Sequence, residues 1–227
     1  MMIPGVDLSN WQPNYNWPAA RHSGIRFAYL KASEGESFVD KMYSAHRRNA
    51  NMQDIVIGAY HFARPSAGSA QRQAEHFLKC ASLRRGDLIP ALDLEVSGGL
   101  SPAHLVFWVT QFRDEVRRQI GHAPVIYTSP SFWASAMAGS RAFADCPLWI
   151  AHWGVASPTI PKCWTTWTVW QWQGSPLDRD RAKALPIYQA KVTTPAKPGP
   201  VHTVRMSANI FRQFAAWYRR LTQRRKG

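Results

Sequence analysis

Apolar residues in this chain fall into short, nearly continuous runs, and a polar residue stands at the end of most of them. Runs at 3–8, 25–30, 55–62, 89–95, 125–128, 148–152 and 168–173 predict strands. Between them, 38–51, 69–83, 101–120 and 130–137 predict helices. Ser69 and Ser101 stand where N-caps are needed, and Pro102 takes a first helical position. Residues 11–17, rich in Asn and Pro, read as a turn. Strand and helix therefore alternate at βα spacing, and the continuous apolar strands are those of a parallel sheet covered by helices. That leaves a barrel or an open doubly wound sheet. No Gly-x-Gly-x-x-Gly follows the first strand and no phosphate loop is present, which weakens a nucleotide-binding fold. Polar residues recur at strand ends: Asp7, Lys31, Tyr60, Asp93 with Glu95, Tyr127 and His152. A β/α barrel gathers such ends at one mouth, whereas an open sheet spreads them along an edge.

Composition adds two points. The 11 Trp residues are too many bulky rings to hide completely, and exposed aromatics beside carboxylates suggest a carbohydrate cleft. The net charge of +14 is unevenly placed. Residues 1–181 carry 18 Lys+Arg against 14 Asp+Glu, whereas residues 182–227 carry 10 Lys+Arg and no acid. The tail thus points to an acidic polymer or surface.

One core domain over 1–185 is expected, followed by a basic extension over 186–227. In the extension, 189–201 reads as a linker and 207–225 as an amphipathic helix. Ile210, Phe211, Phe214, Trp217, Tyr218 and Leu221 form its stripe, and Arg212, Arg219, Arg220, Arg224 and Arg225 load the rest. Such a helix either docks on the core or meets an envelope carrying anionic lipid or lipopolysaccharide. No nucleic-acid recognition motif supports nucleic acid as the partner.

The N-terminus lacks the basic and apolar segments of a signal peptide, so synthesis as a soluble cytoplasmic chain is expected. A monomer is expected too. Cys80, Cys146 and Cys163 form no disulfide framework or zinc pattern; a Cys146–Cys163 bridge and three free thiols both remain open.

The chemistry is concentrated in Asp93-Leu94-Glu95. Residues two apart in a strand share a face, so two carboxyl groups stand side by side at a strand exit. Ionising one raises the proton affinity of the other, so one serves as acid while its neighbour stays an anion. Glycosidic cleavage uses that division. By the same parity Tyr60 and Phe62 face the mouth together, and His61 points away as a core or network histidine.

Five stretches resemble the family-25 glycoside hydrolases, the bacterial and phage N-acetylmuramidases. They are Gly5-Val6-Asp7-Leu8-Ser9-Asn10-Trp11-Gln12, Leu30-Lys31-Ala32-Ser33-Glu34-Gly35, Gly58-Ala59-Tyr60-His61-Phe62, Leu92-Asp93-Leu94-Glu95 and Leu148-Trp149-Ile150-Ala151. Trp170-Gln171-Trp172-Gln173 and Leu177-Asp178-Arg179-Asp180 resemble the family's closing segment.

The resemblance implies an irregular TIM-like β/α barrel whose last strands are not all separated by helices. It also implies cleavage of the β-1,4 bond between N-acetylmuramic acid and N-acetylglucosamine in peptidoglycan, hence action at the cell wall. A phage lysin and a secreted bacterial effector both fit. Glu95 falls on the catalytic acid and Asp93 on its partner, which either orients the substrate's acetamido group or activates water. Asp7 and Asp178 fall on supporting carboxylates, with Asp180 an alternative to Asp178. Lys31, Tyr60, Phe62, Tyr127, Trp149 and Trp170 are the expected groove residues. No metal and no cofactor are expected. The short segment before Asp178 motivates a second reading, a noncatalytic wall-binding barrel.

Overall fold

The computed structural model describes residues 1–190. Nine strands form its sheet: β1 Ile3–Leu8, β2 Phe27–Glu34, β3 Phe38–Val39, β4 Val56–Phe62, β5 Ala91–Asp93, β6 Val125–Thr128, β7 Leu148–Ala151, β8 Val169–Gln173 and β9 Arg179–Ala182. The order is β1-β9-β8-β7-β6-β5-β4-β2-β3, and β1 also pairs with β2. That pairing closes eight strands into a barrel and leaves β3 as a flap on β2. Seven barrel strands run parallel; β9 lies antiparallel between β8 and β1. Helices α1 Trp17–His22, α2 Tyr43–Asn51, α3 Ala70–Ala81, α4 Pro102–Ile120 and α5 Pro130–Ser135 fill the earlier connections. Among the described residues no helix separates β7, β8 and β9, as the irregular barrel requires.

The helix ends follow local chemistry. Ser69, Ser101 and Ser129 each accept a backbone N–H of the first turn they cap. Gly121 closes α4 at φ 80°, a conformation open to glycine. Inside the barrel, size alternates across the registers. Phe27 lies opposite Gly5 and Tyr29 opposite Gly58. A Cβ on Gly5 would stand 2.3 Å from the Phe27 ring, and one on Gly58 2.5 Å from Tyr29. The glycines admit the rings that plug the barrel. Outside, Leu92, Leu94, Ile126 and Ile150 pack with Phe77, Val109 and Phe112 in a second, larger core.

Several expected elements differ. The helix expected at 38–51 begins only at Tyr43, because Phe38 and Val39 pair with Glu34 and Ser33. The turn expected at 11–17 is present over 11–16, and an unexpected helix, α1, follows it; the Asn16 side chain holds its first turn by accepting from Ala19 N–H. β9 was not expected as a strand; its charged sequence is extended by partners on both sides. Residues 186–189 follow the barrel edge: Ile187 bridges Leu88, and Tyr188 N–H donates to Asp87 at 2.7 Å. Cys80, Cys146 and Cys163 are free thiols, so the Cys146–Cys163 bridge does not form. The linker from 191 and the expected helix with Arg212, Arg219, Arg220, Arg224 and Arg225 lie outside the described residues.

Candidate active site

Strand parity builds one pocket at the C-terminal ends of the parallel strands. Phe62 is in register with Asp93, Asp93 with Tyr127, and Tyr127 with Trp149, so these residues share the inner face. The cavity is about 340 Å³ and is lined by Asp7, Lys31, Tyr60, Phe62, Asp93, Glu95, Tyr127, Trp149 and Asp178, all expected site residues. Trp170 is not among them. It lies on the outer face of β8, packs on Trp167, and donates its N–H to His152 O at 2.8 Å. Its neighbour Gln171 faces inward, since parity allows only one of the two to do so.

The floor is Trp149. Tyr29 stacks on it at 4.5 Å, and Tyr127 meets it edge-on at 4.7 Å. Its indole N–H donates to Asp180 Oδ1 at 2.8 Å. Asp178 therefore stands at the pocket wall while Asp180 lies beneath the floor, which separates the two late carboxylates. Gln171, only 2% exposed, donates from Nε2 to Asp7 Oδ2 at 2.8 Å. Its Oε1 accepts the Tyr127 hydroxyl at 3.0 Å and the Trp153 indole N–H at 2.9 Å. Gln171, Trp153, Trp11, Gln12 and Ser9 line the pocket without having been expected there. The parity Trp149, Ala151, Trp153 and Val169, Gln171 carried the signal for two of them.

The carboxyl groups hold protons above their ordinary range. Burial is the largest cause for Asp93, then the neighbouring charge of Glu95. Asp93 Oδ1 is buried without a hydrogen-bond partner. Glu95 stands at the rim, and its upward shift from burial is opposed by Lys31 and Arg64. Asp178 is raised to about 6, by burial and then by Glu95. Lys31 pairs with Glu34 at 2.5 Å, and Arg64 pairs with the same Glu34 at 2.6 Å. Both cations lie over the Phe62 ring, at 4.9 and 4.6 Å from its centroid. His61 faces away from the pocket, as expected, between Ser33 and Gln73.

A closed β/α barrel with carboxyl groups and aromatic rings gathered at its mouth is the arrangement that the carboxylate glycosidase class uses. Sequence and structure comparisons narrow that class. The model of the glycosyl hydrolases family 25 matches residues 6–179, and the chain belongs to that family. It is 37% identical to Lysozyme M1 of Streptomyces globisporus, over 76% of this chain and 62% of that relative's length. It is 35% identical to the N,O-diacetylmuramidase of Chalaropsis sp, over 74% of this chain and 87% of the relative. The bacterial lysozyme from Streptomyces coelicolor superposes with a TM-score of 0.77 at 33% identity, covering 82% of this chain and 94% of that one. The family GH25 lysozyme from Aspergillus fumigatus gives 0.78 at 31% identity, covering 81% and 95%.

Proposed function

We propose that this chain is a peptidoglycan N-acetylmuramidase that hydrolyses the β-1,4 bond between N-acetylmuramic acid and N-acetylglucosamine. The observation that carries this reading is the Asp93/Glu95 pair, one carboxyl buried and one at the rim of a pocket floored by Trp149. Glu95 gives its proton to the leaving sugar oxygen. Asp93 lines the pocket, so its carboxyl group is available to a substrate N–H. Accepting the acetamido N–H, it aims that group's carbonyl oxygen at the anomeric carbon, which bonds to it as the glycosidic bond breaks. Water then opens the ring intermediate and returns a proton to Glu95. Burial acts more strongly on Asp93 than on Glu95. A glycan lying over Glu95 removes its solvent and strengthens its hold on the proton before cleavage. Asp7 and Asp178 bind sugar hydroxyls, and Lys31 with Arg64 tempers the negative field.

Product analysis of digested peptidoglycan tests this reading. New reducing ends on N-acetylmuramic acid support it; reducing ends on N-acetylglucosamine overturn it. Glu95→Gln should fold normally and lose at least about 100-fold in turnover, the scale of general acid catalysis.

The substrate places the enzyme's action outside the cytoplasmic membrane. The basic extension supplies attraction to anionic lipid or lipopolysaccharide there, with the enzyme acting as a monomer. Replacing Arg219, Arg220, Arg224 and Arg225 by Ser should weaken sedimentation with anionic vesicles at low salt, and high salt should erase the difference. Equal sedimentation of both proteins at low salt overturns the attraction.

A further inference from the structure

We propose that Asp180 is a positioning residue for glycan cleavage: it shares one proton with Asp7 beneath the pocket floor, so that the pair carries a single negative charge. The role in cleavage rests on the muramidase reading; the shared proton does not.

The argument begins with β9. Pairing on both sides sets Asp180 between Gly5 of β1 and Gln171 of β8, facing inward and 2% exposed. Its Oδ1 accepts the Trp149 N–H at 2.8 Å. Its Oδ2 is buried, and no N–H or O–H donor reaches it. Asp7, also buried, lies on the adjacent strand β1, close enough for its carboxyl group to meet that of Asp180. Two ionised carboxylates offer each other only acceptors, so a hydrogen bond between them needs a proton. The pair then resembles two acids that cannot both ionise at close range.

The surroundings favour keeping that proton. Asp180 and Asp7 face Tyr29 of β2, Tyr60 of β4, Trp149 of β7, Gln171 of β8 and Asp178 at the entry to β9; none is a cation. The two arginines flanking Asp180 do not neutralise it. Arg181 lies over Trp170 and Trp172 at 4.9 and 4.6 Å, and Arg179 is exposed. Burial accordingly raises Asp180 to about 8, and burial followed by the Asp180 and Asp178 charges holds Asp7 well above its ordinary range.

The consequence for catalysis is geometric. One Asp7 oxygen is held by Gln171, whose amide is fixed in turn by Tyr127 and Trp153. The shared proton holds Asp7 from the other side, through Asp180 and Trp149. Losing the last proton at alkaline pH sets two like charges together in a buried floor, and Asp7 must move.

The test is Asp180→Asn in the full chain. Asparagine keeps an oxygen for the Trp149 N–H but has no carboxyl with which to share a proton. Carboxyl-carbon NMR of aspartate-labelled protein should show Asp7 and Asp180 of the wild type titrating as one coupled pair, with one proton bound at pH about 7. In the variant, Asp7 should titrate alone and lower. Turnover should fall about ten- to a hundredfold, at or below the loss of a general acid, with KM within about twofold. The alkaline limb of the pH profile belonging to the pair should vanish. Both carboxyls ionised in the wild type at pH about 7, or unchanged turnover and pH profile in Asp180→Asn, overturn the proposal.

Should that variant fail to fold, Trp149→Phe keeps the pair and removes its donor. The last proton should then leave at higher pH, and a downward or absent shift overturns the proposal. If the wild type cuts no glycan, the muramidase reading fails while the NMR still reports the proton.

Discussion

Two buried polar networks lie on opposite faces of the same barrel wall, and they differ in whether their atoms are satisfied. Outside β4, His61 is fully buried between Ser33 Oγ at 2.9 Å and Gln73 Oε1 at 3.1 Å. Gln73 also donates to Arg64 O and Ala67 O at 2.8 and 3.1 Å, and it accepts Arg64 N–H. Because Gln73 Oε1 can only accept, the His61 Nε2 must carry the proton and Nδ1 accepts from Ser33. Inside the barrel, Asp93 and Asp180 are buried to a similar degree, yet each has an oxygen without a partner. A satisfied network specifies the fold; an unsatisfied one costs stability and is retained where a substrate or a proton completes it.

The largest expected effect breaks the comparison on the inner side. Asp93→Asn should reduce turnover by about 10² to 10⁴, as for loss of an acid–base partner. It should also raise the melting temperature at pH about 8. The sign follows from Asp93 having a raised pKa in the folded state. Such a group contributes stability fully below its unfolded pKa, and the contribution is lost as pH rises through the folded value. Removing the carboxyl removes that alkaline penalty. Thermal melts of both proteins across pH check it; a lower melting temperature for the variant at pH about 8 breaks the comparison.

His61 gives the opposite slope. Its pKa is lowered to about 4, chiefly by burial. Its contribution to stability is complete above the unfolded value and is lost as pH falls from about 6.5 to about 4, roughly 3 kcal/mol in all. Denaturant melts should show His61→Gln with a flatter dependence across that window. Equal slopes for the two proteins would deny the neutral, buried imidazole. Gln73→Leu should be milder, costing about 1–3 kcal/mol by orphaning the imidazole and backbone groups, with turnover unchanged well below the melting temperature. A loss of turnover with stability preserved would place His61's network in the reaction.

Much of this contrast was legible before the fold. Period-two parity put Tyr60 and Phe62 inside, His61 outside, and Asp93 with Glu95 at one exit. It does not by itself set the phase of the Trp170-Gln171-Trp172-Gln173 segment, where Trp170 is the expected groove residue. The strand phase set by Val169 opposite Trp149 turns Trp170 outward and Gln171 in. β9 was not legible because Arg179-Asp180-Arg181-Ala182 has no apolar run; its extended shape is imposed by β1 and β8. Asp180's place beneath the floor followed from that missing strand. The short α1 was hidden by the Asn and Pro residues that begin it, which serve turns and helix starts alike.

The smallest predicted effect concerns the point where the inner network reaches solvent. Trp153 is 55% exposed, and its indole N–H is one of two donors on Gln171 Oε1. Trp153→Phe keeps an aromatic surface at the rim and removes only that donor. Tyr127 still holds the amide with its oxygen away from Asp7, so Nε2 continues to face the carboxylate. Water can replace the indole N–H at so exposed a position, which puts the cost at the low end for a neutral hydrogen bond, about 0.5 kcal/mol. The expected outcome is a twofold to threefold loss in kcat/KM on peptidoglycan, about the size of that energy. Tyr127→Phe removes the buried donor, which water cannot replace, and should lose more. Steady-state kinetics on the two variants ranks them, and a larger loss for Trp153→Phe would mean that the amide is fixed from the rim rather than from the floor.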